Sequence, residues 1–159
     1  MIRCSFHLNG RGLSILNCPG VGFFPAYSGY AGPHRNNPGS EMIKKAGPLP
    51  RGTYYIVARA KGGTKSQIIS SASSWWTKSD RSKWFSLYRA DGVIDDTTFI
   101  GAITRDQFRL HPAGRSGISE GCITFPSHYH FDLLRNALLS TSGFLVAPGL
   151  IAYGTIQVY

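Results

Sequence analysis

Glycine and proline divide the chain into short segments, and this division constrains the fold more than any other feature of the sequence. With 19 Gly and 9 Pro in 159 residues, the apolar runs are only a few residues long, as expected for strands. One segment, residues 127–139, has helical spacing, because Phe131, Leu134 and Leu138 recur on one face and Ser127 can cap the first turn. The predicted strands are residues 2–8, 13–16, 53–58, 84–89, 108–111, 121–125 and 155–159. The sequence therefore predicts a mainly β fold with one short helix, in a single domain over residues 1–159.

Two long segments between the predicted strands lack hydrophobic periodicity. Residues 23–50 are dense in Gly, Pro, Ser and Asn, and residues 61–82 are polar apart from Trp75 and Trp76. Loops of this length inside a compact domain are usually functional or mobile. We expect residues 28–46 and 61–82 to shape a substrate groove. The two tryptophans fit either a sugar or peptide platform or a structural plug.

Positive charge is concentrated in the first part of the chain. The formal net charge is +9, with +11 in residues 1–90 and −2 in residues 91–159. This asymmetry favours an anionic partner, although a requirement for solubility also explains it. Lys44-Lys45 is the longest basic run and no helix-turn-helix, zinc-finger or RNP-type pattern is present, so nucleic acid is not the expected partner. The most apolar run, residues 143–151, is too short to span a bilayer, and we expect no membrane insertion.

The chain has three cysteines, so at most one disulfide can form within it. Cys4 and Cys18 are the natural pair, because Asn9-Gly10-Arg11-Gly12 between them favours a tight turn that returns the chain. In that case Cys122 is the free thiol. The alternative is that Cys4 and Cys18 are reduced and buried as small apolar side chains. The first seven residues lack a continuous apolar region, so we expect no secretory signal peptide and delivery by another route.

The segment with candidate chemistry runs from one predicted strand through a Gly/Ser-rich loop to the next. His111 ends the first strand and Cys122 begins the second, so the loop can bring imidazole and thiol together. A thiol nucleophile needs a base or a cation because free Cys has a pKa of about 8.5, and His111 can supply the base. Gly121 allows close backbone approach to a substrate, and Ser119 can hold the loop in shape. Since His precedes Cys, a papain-like arrangement is excluded.

These motifs resemble the catalytic domain of the L,D-transpeptidase family. His111, a short Gly-rich loop and Ser119-Glu120-Gly121-Cys122-Ile123 match the family's His and Ser-x-Gly-Cys-Ile signature. The resemblance extends upstream through Ala26-Tyr27-Ser28-Gly29 and Gly47-Pro48-Leu49-Pro50-Arg51-Gly52-Thr53-Tyr54-Tyr55-Ile56. Small size, the missing signal peptide and the short spacing from His to Cys make the chain most similar to the L,D-transpeptidase-like effectors of bacterial type VI secretion.

The resemblance implies a β-sandwich catalytic domain with long groove-forming loops and no cofactor. It implies an antibacterial enzyme that acts in the periplasm of a target bacterium on peptidoglycan tetrapeptide stems. The enzyme would remove terminal D-Ala from meso-diaminopimelate, as an L,D-carboxypeptidase, or exchange it for another D-amino acid, as an L,D-transpeptidase. The implied partners are the stem peptides, a cognate immunity protein and a component of the secretion apparatus.

The resemblance also implies roles for individual residues. Cys122 is the nucleophile, His111 is the general base and then acid, Ser119 supports them, and the Gly121 and Cys122 amides bind the oxyanion. Tyr27 and Ser28 lie in the matching upstream run and are candidate substrate-binding residues. Arg109 and Arg115 flank the motif and are candidate ligands for the substrate carboxylates, although an exposed surface charge explains either residue equally well.

The sequence departs from the family pattern around the nucleophile, where Glu120 precedes Gly121 and Ile123-Thr124 follows in place of a polar or Arg residue. A carboxylate facing the sulfur would raise the pKa of the thiol, so we expect Glu120 to point away. A backbone carbonyl is the expected partner for the ring of His111. Two alternatives stay open. One is a zinc site of His111, Cys122, His128 and His130, whose spacing matches no closed zinc site, and the other is a non-catalytic peptidoglycan-binding module.

Overall fold

The computed structural model describes residues 1–58 and 80–159. Trp75, Trp76 and most of the predicted loop 61–82 lie outside the described residues. The strands are β1 Ile2–Phe6, β2 Ser14–Cys18, β3 Gly22–Ser28, β4 Gly52–Ala58, β5 Phe85–Arg89, β6 Thr97–Ile100, β7 Ile103–Asp106, β8 Arg109–Pro112, β9 Ile123–Phe125, β10 Phe144–Ala147 and β11 Leu150–Val158. The helix α1 is His128–Leu139, and short 3-10 turns cover Pro38–Ser40 and Arg81–Lys83.

Nine of these strands form one sheet that closes on itself. Their order is β1-β2-β3-β9-β8-β5-β4-β11-β10, and β1 also pairs in parallel with β11. The long strand β11 is the junction, since it pairs with β1 from Ile2↔Gly154 to Phe6↔Val158 and with β4 on its other side. Strands β6 and β7 form a separate hairpin. The prediction of a mainly β fold with one helix is confirmed for the described residues, and opposite walls of the closed sheet face each other across the core.

The core lies inside this closed sheet and under α1. Its largest side chains are less than 2% exposed, among them Phe6, Leu16, Tyr54, Phe125 and Phe131. Burying each such side chain contributes about 1.5–3 kcal/mol. The predicted helix is confirmed, with Phe131, Leu134 and Leu138 buried and the Ser127 hydroxyl accepting a hydrogen bond from the His130 N–H. The helix packs against β8, β9 and β11, so it supports the strands that carry His111 and Cys122.

The predicted opening hairpin and its disulfide are both present. Strands β1 and β2 are antiparallel, with Ser5 opposite Asn17, and Asn9 Oδ1 accepts a hydrogen bond from the Arg11 N–H in the turn. Cys4 is bonded to Cys18 across a Cα–Cα distance of 4.2 Å. Closing a loop of this size stabilises a fold by about 3 kcal/mol. Cys122 is the free cysteine.

Part of the predicted long loop 23–50 is a strand, so that prediction is wrong for its first residues. In β3 the side chains alternate, with Phe24 and Ala26 buried and Phe23 74% exposed. The strand pairs with β2 from Gly22 to Ala26 and with β9 at Tyr27 and Ser28. Pro25 lies outside the β9 pairing, where a missing N–H breaks no ladder on that side. Because Gly and Pro are frequent around this segment, the alternation of its buried and exposed side chains was not recognised from the sequence.

Three further strands, β6, β7 and β10, were not predicted from the sequence, and β11 begins five residues earlier than the predicted strand 155–159. Strands β6 and β7 are four residues each and pair with one another in a sheet of their own. No helix among the described residues combines the length and apolar character needed to cross a bilayer.

Candidate active site

Parallel pairing of β8 with β9 brings His111 and Cys122 to one cavity. His111 lies opposite Thr124 and Leu110 opposite Ile123, and Cys122 immediately precedes β9. Because side chains alternate along a strand, Cys122 and Thr124 share the face to which His111 also belongs. A cavity of about 320 Å³ is lined by both His111 and Cys122. The predicted pair is therefore brought together by strand register, across the Gly/Ser-rich loop that separates the two residues in the sequence.

The ring of His111 is fixed on three sides. Its Nδ1 lies 2.7 Å from the carbonyl oxygen of Pro112, the kind of backbone partner that the sequence analysis expected. Since a carbonyl only accepts, Nδ1 carries the proton and Nε2 of the neutral ring keeps its lone pair. Thr124 Oγ1 lies 3.4 Å from Nε2, and Trp84 stacks on the ring with centroids 4.3 Å apart.

Burial keeps the imidazole neutral. His111 is 7% exposed, and burial lowers its pKa to about 4, against the opposing effect of the hydrogen bond to Pro112. The guanidinium groups of Arg81 and Arg109 lower the pKa further. At neutral pH His111 is therefore an unprotonated, oriented base whose Nε2, with only the long 3.4 Å contact to Thr124 Oγ1, can accept a proton.

The Cys122 thiol is protonated at rest. Burial raises its pKa to about 11, while the backbone N–H and the guanidinium of Arg109 act in the opposite direction. The thiol points toward the carbonyl oxygen of Gln107, 3.8 Å from Sγ. With both partners neutral, the site is not a preformed thiolate–imidazolium pair, and the proton must move when the sulfur attacks.

This resting state predicts slow alkylation of Cys122 at neutral pH. A thiol with a pKa of about 11 is about one part in ten thousand thiolate at pH 7, and only the thiolate reacts. We expect the rate of Cys122 carboxamidomethylation to rise about tenfold for each pH unit between 7 and 9, measured by intact mass at constant iodoacetamide. Cys4 and Cys18 are bonded and give no background. A rate that is already level at pH 7 would contradict the protonated resting thiol.

Glu120 does not point away from the thiol, so that expectation is wrong. Its side chain lines the cavity together with Cys122, and its negative charge contributes to the raised pKa of Cys122. Glu120 is only two residues before Cys122, and Arg105 holds its carbonyl in the loop. We expect Glu120→Gln to increase the alkylation rate measured above.

Two buried serines hold the nucleophile loop. The Ser119 hydroxyl donates to the Cys122 carbonyl at 2.7 Å and accepts from the Gly29 N–H at 3.1 Å. Ser28 donates through Oγ to the Gly121 carbonyl at 3.1 Å and accepts from the Leu49 N–H at 2.7 Å. Ser28 is fully buried, so its side chain ties the loop to β3 and does not face the cavity, contrary to the expectation that it binds substrate.

Both the backbone conformation at position 121 and the lack of space for a Cβ atom require a glycine there. Its φ is +119°, in the region that favours glycine. A Cβ at this position would lie 2.5 Å from Arg105 Nη2 and 2.7 Å from Phe108 Cε1. Gly121 was expected to allow close approach by a substrate, whereas Arg105 and Phe108 are the groups that approach it closely. Its N–H lies 3.4 Å from Ser119 Oγ.

Arg105, which the sequence analysis did not identify, joins the nucleophile loop to the long loop before β4. Its side chain is buried, with the residue 5% exposed. The guanidinium donates to the carbonyls of Glu41, Pro48 and Gly47, and to that of Glu120 at 3.0 Å. It also lies over the ring of Phe108, 5.0 Å from the centroid. A cation in a polar hairpin carries no local sequence signal for such a role, because its partners are distant along the chain.

The remaining predicted substrate-binding residues lie differently from what was expected. Arg109 lines the cavity, but its guanidinium is paired with both carboxylate oxygens of Asp96, at 2.5 and 2.7 Å. Arg115 is exposed on the loop. Tyr27 is 5% exposed and donates through its hydroxyl to the Gly117 carbonyl at 2.8 Å. It therefore stabilises the Gly/Ser-rich loop between His111 and Cys122.

A second cavity of about 350 Å³ is also lined by Cys122. We call the two cavities the histidine lobe, lined by Trp84, Arg109, His111 and Ser119, and the lysine lobe, lined by Lys44, Lys45, Arg105 and Asp106. Gln107, Glu120 and Cys122 line both lobes. Cys122 is therefore common to both cavities, and residues 44–45 of the predicted groove-forming loop contribute to the second of them.

The zinc alternative finds no support in the part of the chain that the structure describes. No group of three or more His, Cys, Asp or Glu side chains there is placed to hold a metal ion. His128 lies with Nε2 2.8 Å from the Ala113 carbonyl, and the ring of His130 packs beside Phe24, with centroids 6.0 Å apart. His128 and His130 therefore lie in different surroundings from His111 and Cys122.

Comparison with known proteins gives one family match. The sequence model of the Tlde1 domain matches residues 22–149, well over half of the chain. This range contains β3, the loop with Lys44 and Lys45, and both members of the His111 and Cys122 pair. No curated protein and no solved structure matches the chain.

Proposed function

Because the chain belongs to the Tlde1 domain family of type VI secretion L,D-transpeptidase effectors, we propose that it modifies peptidoglycan tetrapeptide stems through a thioester on Cys122. The proposed reaction releases the terminal D-Ala from diaminopimelate, and water or another D-amino acid then accepts the acyl group. The observation that carries this proposal is the shared cavity of Cys122 and His111, in which Nε2 of a neutral, oriented imidazole can accept a proton.

In the proposed acylation step, Cys122 Sγ turns from the Gln107 carbonyl and attacks the carbonyl carbon that joins diaminopimelate to D-Ala. The thiol proton passes to His111 Nε2 as the carbon–sulfur bond forms. The resulting imidazolium gives this proton to the D-Ala nitrogen, and the carbon–nitrogen bond breaks. The products are free D-Ala and a thioester between the tripeptide stem and Cys122.

Deacylation reverses the same proton path. Water or the amine of a D-amino acid attacks the thioester, His111 Nε2 takes a proton from this nucleophile, and the proton returns to the departing sulfur. Water gives a tripeptide stem, and the amine gives an exchanged tetrapeptide stem. The two reactions share one intermediate, so the acceptor concentration determines their ratio.

Backbone groups next to the nucleophile are the proposed oxyanion donors. The N–H of Cys122 and that of Gly121 lie in a loop fixed by Ser119, Ser28 and Arg105. The Gly121 N–H has only a long contact of 3.4 Å to Ser119 Oγ, so it can turn to a developing negative charge with little loss. Backbone donors held next to the attacked carbonyl stabilise the negative charge of the tetrahedral intermediate.

The biological setting follows from the proposed reaction. Peptidoglycan stems are in the periplasm of the target bacterium, so the protein would act there after delivery by the secretion apparatus. A producing cell exposed to neighbours of its own kind would need a cognate immunity protein. The Cys4–Cys18 disulfide suits an oxidising compartment such as the periplasm.

Muropeptide analysis tests the proposal. Purified protein is incubated with disaccharide tetrapeptide, with and without a free D-amino acid, and products are read by mass spectrometry. We expect loss of D-Ala without the acceptor and its replacement with the acceptor, and no change with Cys122→Ala. Ser116→Ala, which changes an exposed loop residue, serves as the matched control and should retain turnover. Unchanged muropeptides together with retained binding to peptidoglycan would instead identify a non-catalytic binding module.

A further inference from the structure

The lysine lobe carries charges of both signs. Lys44 and Lys45 line one part of it, and Asp106 and Glu120 line another. Arg105 also borders the lobe, but its donors are used by four backbone carbonyls. The charges available to a ligand are therefore two ammonium groups and two carboxylates, a pattern that fits a zwitterion better than a simple anion.

The backbone around this lobe is held in an unfavourable conformation. Three non-glycine residues of the described chain have positive φ, namely Asn36, Lys45 and Gln107. Asn36 suits this conformation, and its side chain bonds to the Ser28 N–H and the Arg11 carbonyl. Lys45 and Gln107, at +61° and +58°, have no such side-chain advantage, and both line the lysine lobe. Strain of this kind concentrates at binding sites, where the surrounding structure maintains it.

The position of the base orients the substrate across the two lobes. His111 must protonate the leaving amine, so the D-Ala portion lies in the histidine lobe. The acyl portion, which stays on Cys122, then extends into the other cavity that Cys122 lines, the lysine lobe. The residue whose carbonyl is attacked therefore has its side chain next to Lys44, Lys45 and Asp106.

We infer that the lysine lobe binds the zwitterionic amino-acid head on the side chain of the acyl-donor residue and selects it over a side chain with an ammonium group alone. Lys44 and Lys45 receive the carboxylate of this head, and Asp106 and Glu120 receive its ammonium. Diaminopimelate carries both groups, whereas lysine at the same stem position lacks the carboxylate. The inference rests on the proposed function, and it identifies specificity-determining residues for that reaction.

Two synthetic tetrapeptide stems, identical except for meso-diaminopimelate or L-lysine at the third position, test the inference. The measured quantity is kcat/KM for D-Ala release. We expect the wild-type protein to prefer the diaminopimelate stem by about tenfold or more, as for loss of a charge-assisted hydrogen bond. The double variant Lys44→Gln/Lys45→Gln should lose about tenfold on the diaminopimelate stem and little on the lysine stem.

Two further variants distinguish recognition of the substrate carboxylate from recognition of the substrate ammonium group. Asp106→Asn should lower kcat/KM for both stems alike, because both carry the ammonium group. Arg11→Gln removes an exposed positive charge that borders neither lobe, and it should leave the preference unchanged. Equal losses on both stems in the lysine double variant, or a wild-type protein without preference, would overturn the inference.

Binding measurements keep this test separate from that of the proposed function. If the wild-type protein releases D-Ala from neither stem, the proposed reaction is wrong. The dissociation constants of both stems for the Cys122→Ala protein then still test the lobe. Tighter binding of the diaminopimelate stem that is lost in the lysine double variant supports the inference, and equal dissociation constants overturn it.

Discussion

Replacing Arg105 with methionine is expected to lower the free energy of unfolding by about 3–5 kcal/mol and to abolish turnover. The guanidinium is buried and donates to four carbonyls, three in the loop of residues 41–48 and one at Glu120. Methionine fills a similar volume without donors, so these carbonyls lose their partner in a site that water does not readily reach. The nucleophile loop would also lose its connection to the lysine lobe. Urea unfolding followed by circular dichroism measures the change.

Arg51→Met is the matched control for this substitution. Arg51 pairs with Glu41 at 2.6 Å, but its side chain is 59% exposed. The Glu41 side chain is only 10% exposed, but its Oε2 keeps the Arg51 N–H as a donor at 2.7 Å after the substitution, so we expect a loss of about 1 kcal/mol. If Arg105→Met costs no more than Arg51→Met, the buried guanidinium is not the connection that we assign to it.

Substitution of His111 by glutamine is expected to reduce kcat for D-Ala release by about a hundredfold to ten-thousandfold. Glutamine keeps a polar side chain beneath Trp84 but supplies no base to accept the thiol proton. Because the imidazole is already neutral above its pKa of about 4, the wild-type rate should fall only as the pH approaches this value, where Nε2 becomes protonated. Steady-state assays between pH 4 and 8 measure both effects.

His128→Gln is the control for the loss of a histidine in general. His128 contacts the Ala113 carbonyl from the start of α1 and borders neither lobe. We expect its kcat to stay within about twofold of the wild-type value. A His111→Gln protein that is folded and retains a similar kcat would show that another group accepts the proton.

Local signals in the sequence were sufficient for much of the fold. The hairpin with its Asn-Gly turn, the Cys4–Cys18 pair and the capped helix each depend on residues close together in the chain. The His111 and Cys122 pair was also accessible, because a single short loop separates two adjacent strands. Strand β3 was missed because Pro25 and the surrounding glycines resemble a loop when the β2 partner is unknown.

Contacts between distant segments account for what the sequence did not predict. Arg105 and Trp84 act through partners such as Pro48 and His111, which are 57 and 27 residues away. Arg109 was expected to bind a substrate carboxylate, yet Asp96, from the segment before β6, already occupies its guanidinium. Ser28 was expected at the substrate, but it is buried behind the loop. Each residue type was compatible with the predicted role in substrate binding. The contacts that each side chain makes in the folded protein rule that role out.

The most direct test of the central claim is the mass of the protein during turnover. Wild-type protein is mixed with the diaminopimelate tetrapeptide stem, quenched in acid within seconds and analysed intact. We expect an adduct of the tripeptide acyl group, mapped to the peptide containing Cys122, released by hydroxylamine and absent from Cys122→Ala. Release of D-Ala by a Cys122→Ala protein, or an adduct on any other residue, would contradict a thioester mechanism at Cys122.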